Sequence, residues 1–149
     1  MPDRNNLAAQ AAALVSGQQD IIANAANLSS LLFYALDDVN WVGFYFLKGS
    51  NLVVGPFQGR PACVTIPMGQ GVCGTVAKTQ KALRVADVQA FEGHIACDVD
   101  SRSEIVLPLV RNEELIGVLD LDSPVKNRFD AEDERLLQKI ADIFIHSLG

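Results

Sequence analysis

Apolar residues recur at helical spacing through the N-terminal part of the chain: Leu7, Ala11, Leu14 and Val15, then Leu28, Leu31, Leu32 and Ala35. Positions three and four apart share a helix face, so residues 5–36 are predicted helical, as one broken helix or two, because Gly17 interrupts the pattern. The period then changes. Trp41-Val42-Gly43-Phe44-Tyr45-Phe46-Leu47 is dense in aromatic and β-branched residues and predicts a strand; Gly49-Ser50-Asn51 makes a turn, and Leu52 to Gly55 returns as a hairpin. Cys63 to Met68 predicts a third strand, Gly69 to Gln80 a glycine-led helix, and Leu83 to Val85 a short strand. Asp87 to Arg102 has no periodicity and is the longest predicted loop, of a length that usually signals function. Ser103 to Val110 and Leu115 to Leu121 form a second hairpin across Arg111-Asn112-Glu113-Glu114. Asp130, with Asp133 three residues on, caps a last helix whose apolar stripe is Leu136, Ile140, Ile143, Phe144 and Leu148. Hairpins outnumber helix-linked strands. The expected class is therefore α+β: one domain over residues 1–149, with a mainly antiparallel sheet and N- and C-terminal helices packed on it. Its parts are an N-terminal helical segment, 5–36, and a sheet with its helices, 39–148.

Composition narrows the function classes. At 149 residues the chain can bury a full core without disulfides or metal. The net charge of −6 and the absence of any Lys/Arg run argue against nucleic acid as a partner, because an anionic surface is repelled by a phosphate backbone. No apolar run approaches the roughly 20 residues that span a bilayer, so no membrane partner is expected. Met1 to Asn6 lacks the basic-then-apolar pattern of a secretory signal. An odd, small number of cysteines then suggests a reducing, cytoplasmic setting, where thiols are catalytic, metal-binding or inert.

The cysteines are concentrated. Cys63, Cys73 and Cys97 share one glycine-punctuated window and the rest of the chain has none. A thiol reductase needs one nucleophilic cysteine and a second able to approach within disulfide range, which three cysteines on facing loops would satisfy. Cys73 best suits the alternative of a buried small hydrophobe, because Val72-Cys73-Gly74-Thr75-Val76-Ala77 continues into an apolar helix. A zinc site of Cys63, Cys73, Cys97 and His94 is a further alternative, although the close Cys pairs typical of structural zinc sites are missing. Three carboxylates carry a second signal. Asp120 and Asp122 close the apolar run Leu115 to Asp122 on one strand face, and Glu104 opens the neighbouring strand. Acids gathered between aliphatic residues cannot all ionise together, so at least one pKa should rise. Such a group can hold an ammonium ion and keep one carboxyl protonated as a general acid; a solvated strand end is the plain alternative. Trp41, with Tyr45 on the same face, could wall a small ligand or belong to the core. Glu92, Asp98 and Asp100 surround Cys97 and would raise its pKa against His94 and Arg102. A substrate with its own positive charge, such as an amino acid zwitterion, would ease that conflict.

Several stretches together resemble the free methionine-(R)-sulfoxide reductases, a catalytic branch of the GAF-domain fold. They are Asn40 to Tyr45, Gly55 to Gly59, Gly69 to Thr75, Gly93 to Asp98, Ser103 to Leu109 and Ile116 to Ser123. The resemblance implies reduction of the free amino acid sulfoxide and not of oxidised residues within proteins. It implies that Cys97 is the nucleophile that becomes a sulfenic acid, that Cys63 resolves it to a disulfide, and that Cys73 can pair with Cys97 in some states. Thioredoxin, supplied by NADPH, would restore the thiols, with no cofactor or metal bound. Trp41 resembles the residue facing the substrate methyl group, and Glu104, Asp120 and Asp122 those that hold the ammonium and polarise the sulfoxide oxygen. A homodimer is also implied. The competing reading is a non-catalytic GAF-type sensor that binds an amino acid or amine.

Overall fold

The computed structural model describes residues 4–94 and 99–149. The N-terminal segment forms two helices, α1 (Arg4–Val15) and α2 (Ile21–Ala35). The break has a local cause: Gly17 takes φ +73°, and Asp20 then caps α2, its side chain accepting from the Ala23 N–H at 2.8 Å. The strands are β1 (Trp41–Lys48), β2 (Asn51–Gly59), β3 (Thr65–Pro67), β4 (Leu83–Val85), β5 (Ser103–Arg111) and β6 (Glu114–Ser123). Helix α3 (Gly71–Thr79) joins β3 to β4, and α4 (Ala131–Ser147) ends the chain. The strands form one sheet in the order β3-β2-β1-β6-β5-β4, and every neighbouring pair is antiparallel. The expected α+β class, antiparallel sheet and terminal helices are all present.

The two hairpins are joined through β1 and β6, which puts Trp41 opposite Asp122 and Gly43 opposite Asp120. The β5–β6 turn is Asn112-Glu113, both at positive φ, the twist that a tight two-residue hairpin loop requires. Strand β2 runs beyond its expected end at Gly55. The register shifts between the Gly43–Phe57 and Tyr45–Val54 pairs, leaving Gly55 and Pro56 as a bulge where the missing proline N–H breaks no ladder. The third strand is shorter than expected, so Cys63 precedes it in a loop. The long loop begins with a 3₁₀ turn, Val88–Ala90, capped by Asp87 through the Gln89 N–H.

Period-two alternation divides the sheet into two faces. Val42, Phe44, Ile105, Leu107, Leu109, Leu119 and Leu121 point to α2 and α4, on which α1 packs, and form the larger core with Leu28, Leu32, Ile140 and Phe144. Each such side chain, removed from water, contributes about 1.5–3 kcal/mol. The predicted N-terminal stripe is only partly buried: Leu7, Ala11 and Val15 are inside, while Leu14 is 39% exposed. On the opposite face Trp41, Tyr45, Val106 and Val118 pack under α3 through Val72, Cys73 and Val76.

Candidate active site

The second face holds the acids. Glu104 pairs directly with Asp122, and Asp120 lies one pleat deeper, opposite Val106 on β5 and Gly43 on β1. Helix α3 lies over them and brings Cys73 in. One oxygen each from Glu104 and Asp120 and the Cys73 sulfur lie within 4.8 Å of one another, all three residues buried. The thiol donates a long, weak hydrogen bond to Glu104 Oε2 at 3.9 Å. Asp120 Oδ1 is buried with no partner. The sequence places these acids on one face; the cover of α3 then makes the face dry.

Burial decides the ionisation. It pushes the Asp120 carboxyl up to about 8, with the Asp122 charge adding to the rise. Burial, then the Asp120 charge, holds Glu104 well above the ordinary carboxylate range. Two such neighbours titrate as a pair and retain a proton near neutral pH. The same burial, with Asp120 and Glu104 beside it, raises the Cys73 thiol well above its usual range, so Cys73 stays a protonated, weak nucleophile. Tyr45 is raised for the same reason, burial first and then Asp120.

The aromatic wall is built on glycines. Trp41 is 2% exposed and stacks on Phe57 at 5.2 Å and on Tyr45 at 5.8 Å between ring centroids. A Cβ on Gly43 would come within 2.6 Å of the indole and 2.4 Å of Phe57 Cβ, so only glycine lets the ring lie across the strand. Trp41 Nε1 donates to the Arg60 carbonyl at 3.1 Å, and the Tyr45 hydroxyl donates to the Cys63 carbonyl at 3.4 Å. The two aromatic residues thereby tie the 60–63 segment to the sheet.

Trp41, Tyr45, Cys73, Glu104, Asp120 and Asp122 all line one cavity of about 50 Å³. His94, a ligand in the zinc alternative, also lines it, as do Gln70 and Ser101, which were not anticipated from the sequence. Half-buried His94 has its pKa lowered by that burial. Cys63 is disulfide-bonded and Cys73 carries a free thiol. Cys97 lies outside the described residues. By spacing, Cys73, Glu104 and Asp120 could hold a metal ion. The four-ligand zinc alternative loses Cys63, whose sulfur is committed to its disulfide. Chemically, the cavity joins a proton-holding carboxyl group, further anionic oxygens and a flat apolar wall. Among the described residues no helix is long and apolar enough to cross a membrane.

The GAF-domain family model matches residues 5–147. The chain is 53% identical over 128 residues to the free methionine-R-sulfoxide reductase of Escherichia coli (strain K12), covering 86% of this chain and 78% of that protein. It is 54% identical over 149 residues to Protein YtsP of Bacillus subtilis (strain 168), covering 99% and 91%. Among solved structures it is similar to fRMsr of Staphylococcus aureus in complex with substrate, with a TM-score of 0.96, 46% identity, and coverage of 100% of this chain and 97% of that one.

Proposed function

Because the chain belongs to the GAF-domain family and, within it, to the free methionine-R-sulfoxide reductases, we propose that it reduces free L-methionine-(R)-sulfoxide to L-methionine by thiol chemistry. Cys97 attacks the sulfoxide sulfur. The oxygen passes to the cysteine as a sulfenic acid, so the thiol loses two electrons and the substrate sulfur returns to a thioether. The Cys63 thiol condenses with the sulfenic acid, forming a disulfide and releasing water. A thioredoxin dithiol, kept reduced by NADPH, then exchanges with that disulfide and restores both thiols.

The observation that carries this reading is the buried carboxyl group facing the indole in one cavity. A sulfoxide oxygen must gain a proton as its bond to sulfur breaks, and Asp120, with its pKa near 8, still holds one at neutral pH. The other carboxylates meet the substrate ammonium, and Trp41 faces the methyl group. The disulfide at Cys63 and the raised, free thiol of Cys73 support a resolving role for Cys63 and a non-nucleophilic one for Cys73. Tyr45 supports the Cys63 segment through its hydroxyl. The enzyme works in the cytoplasm, with no bound cofactor. Exposed Ile21, Ile22 and Tyr34 on α2 support a homodimer.

The test is methionine release by the reduced protein with thioredoxin recycling, from the free R-sulfoxide, the free S-sulfoxide and a blocked peptide sulfoxide. Turnover of the free R form alone is expected, abolished by Cys97→Ser and limited to about one product per protein by Cys63→Ser. Binding of the free amino acid without product from any sulfoxide would instead identify a sensor.

A further inference from the structure

The cavity that receives the proposed zwitterion is electrostatically one-sided. Three carboxylates line it and no Lys or Arg does; the undescribed segment, Ile95-Ala96-Cys97-Asp98, contains no cation either. Arg60, at its margin, directs its guanidinium to Asp100 at 2.7 Å. The acids suit an ammonium group and repel a carboxylate, so an amino acid must place its own carboxylate away from them and on a neutral donor.

Among the described residues, the buried side-chain donors on the wall are nearly all committed: Trp41 Nε1 to the Arg60 carbonyl, the Tyr45 hydroxyl to the Cys63 carbonyl, and the Cys73 thiol to Glu104. Ser101 is the exception. It is 7% exposed, lines the cavity, and its buried Oγ has no partner. Leaving such a hydroxyl unpaired costs free energy, which a ligand oxygen would recover. Its position is also fixed. The following residue is held on both sides, the Arg102 N–H donating to the Ser123 carbonyl at 2.7 Å and the Val88 N–H to the Arg102 carbonyl at 2.8 Å. Ser103 Oγ donates to the Val125 carbonyl and accepts from the Arg128 N–H. Along the strands, Asp120 lies one pleat further into the sheet than the Asp122–Glu104 pair, and Ser101 lies on the other side of that pair, two residues before β5 begins.

We propose that the Ser101 hydroxyl donates to the carboxylate of the bound amino acid, so that the site selects a zwitterion by holding ammonium and carboxylate at opposite ends. This rests on the amino-acid reading of the pocket, and a binding experiment separates the two. Calorimetry in a Cys97→Ser background compares L-methionine-(R)-sulfoxide with 3-(methylsulfinyl)propylamine, which lacks only the carboxylate. Ser101→Ala should weaken the amino acid about ten-fold, the scale of one hydrogen bond to a charged group, and leave the amine unchanged. Ser101→Thr should restore much of the difference. Because the removed hydroxyl has no protein partner, the Ala variant should melt at or above the temperature of its parent. Equal weakening of both ligands, weakening of neither, or a melting point several degrees lower would overturn the assignment. Absence of turnover in the wild-type protein with Cys97 intact, alongside this binding pattern, would sink the reductase reading and leave Ser101 in place.

Discussion

The two faces of the sheet are made from the same strands and obey opposite rules. Val42 and Phe44 of β1, Ile105 and Leu107 of β5, and Leu119 and Leu121 of β6 point to α2 and α4, and that interior is fully buried and apolar. One residue along, Trp41, Tyr45, Glu104, Asp120 and Asp122 point the other way, under the single nine-residue helix α3 and the loops around it. The first face is dry because several helices cover it, and it supplies stability. The second is dry enough to raise carboxyl pKa values yet open enough to hold a cavity, and under the proposed function it supplies the chemistry. Alternation lets one strand serve both, provided that each face has its own cover.

Substitutions on the two faces should separate these roles. The largest effect belongs to Asp120→Asn, which keeps the shape and removes the titratable proton. Turnover should fall about 10²- to 10⁴-fold, the range for a lost general acid. Its stability should move the other way. The folded carboxyl titrates near 8 against an ordinary value of 3.8, so the stabilisation is fully present below the lower value and is lost as pH rises towards 8. The wild-type melting temperature should therefore decline across that window, and the Asn variant should flatten the decline; an unchanged slope would mean Asp120 is ionised in the fold. Next, Phe44→Ala empties a fully buried site beside Phe144, 4.7 Å away between centroids, and should cost about 3–5 kcal/mol. A urea midpoint would register it, while the folded variant should keep its turnover. Smaller again is Gly43→Ala, on the active face, where the new Cβ meets the indole and Phe57. Overpacking of this kind costs about 1–3 kcal/mol. It should also raise KM with little change in kcat, because it displaces a binding wall and no proton donor. A Gly43→Ala variant with lowered stability and normal KM would detach the Trp41 wall from substrate binding.

Much of this was legible from residue order. The switch from helical to alternating spacing at Trp41 marks the start of the sheet, and the two hairpins follow from their turns. Asp120, Asp122 and Glu104 share a face because side chains alternate along any strand, a consequence of backbone geometry that needs no knowledge of the partner. The resemblance carried by the stretches around Trp41, Cys73 and Glu104 led to the same family that the comparisons found. Strand β2 continues past Gly55, although Gly55-Pro56 reads as a stop in the sequence, and only the pairing with β1 turns it into a bulge.

What residue order determined is periodicity and face, both set by local covalent geometry. What tertiary structure decided is depth and partnership. Extending the alternation back from Glu104 would point Arg102 towards the acids, yet it is Ser101, before the strand begins, that lines the cavity. Likewise, nothing local to Trp41 indicates that its indole lies over Gly43 and donates to Arg60, nor that α3 crosses the sheet closely enough to keep Asp120 protonated. Desolvation depends on every atom that excludes water from a group, and those atoms come from segments far apart in the chain.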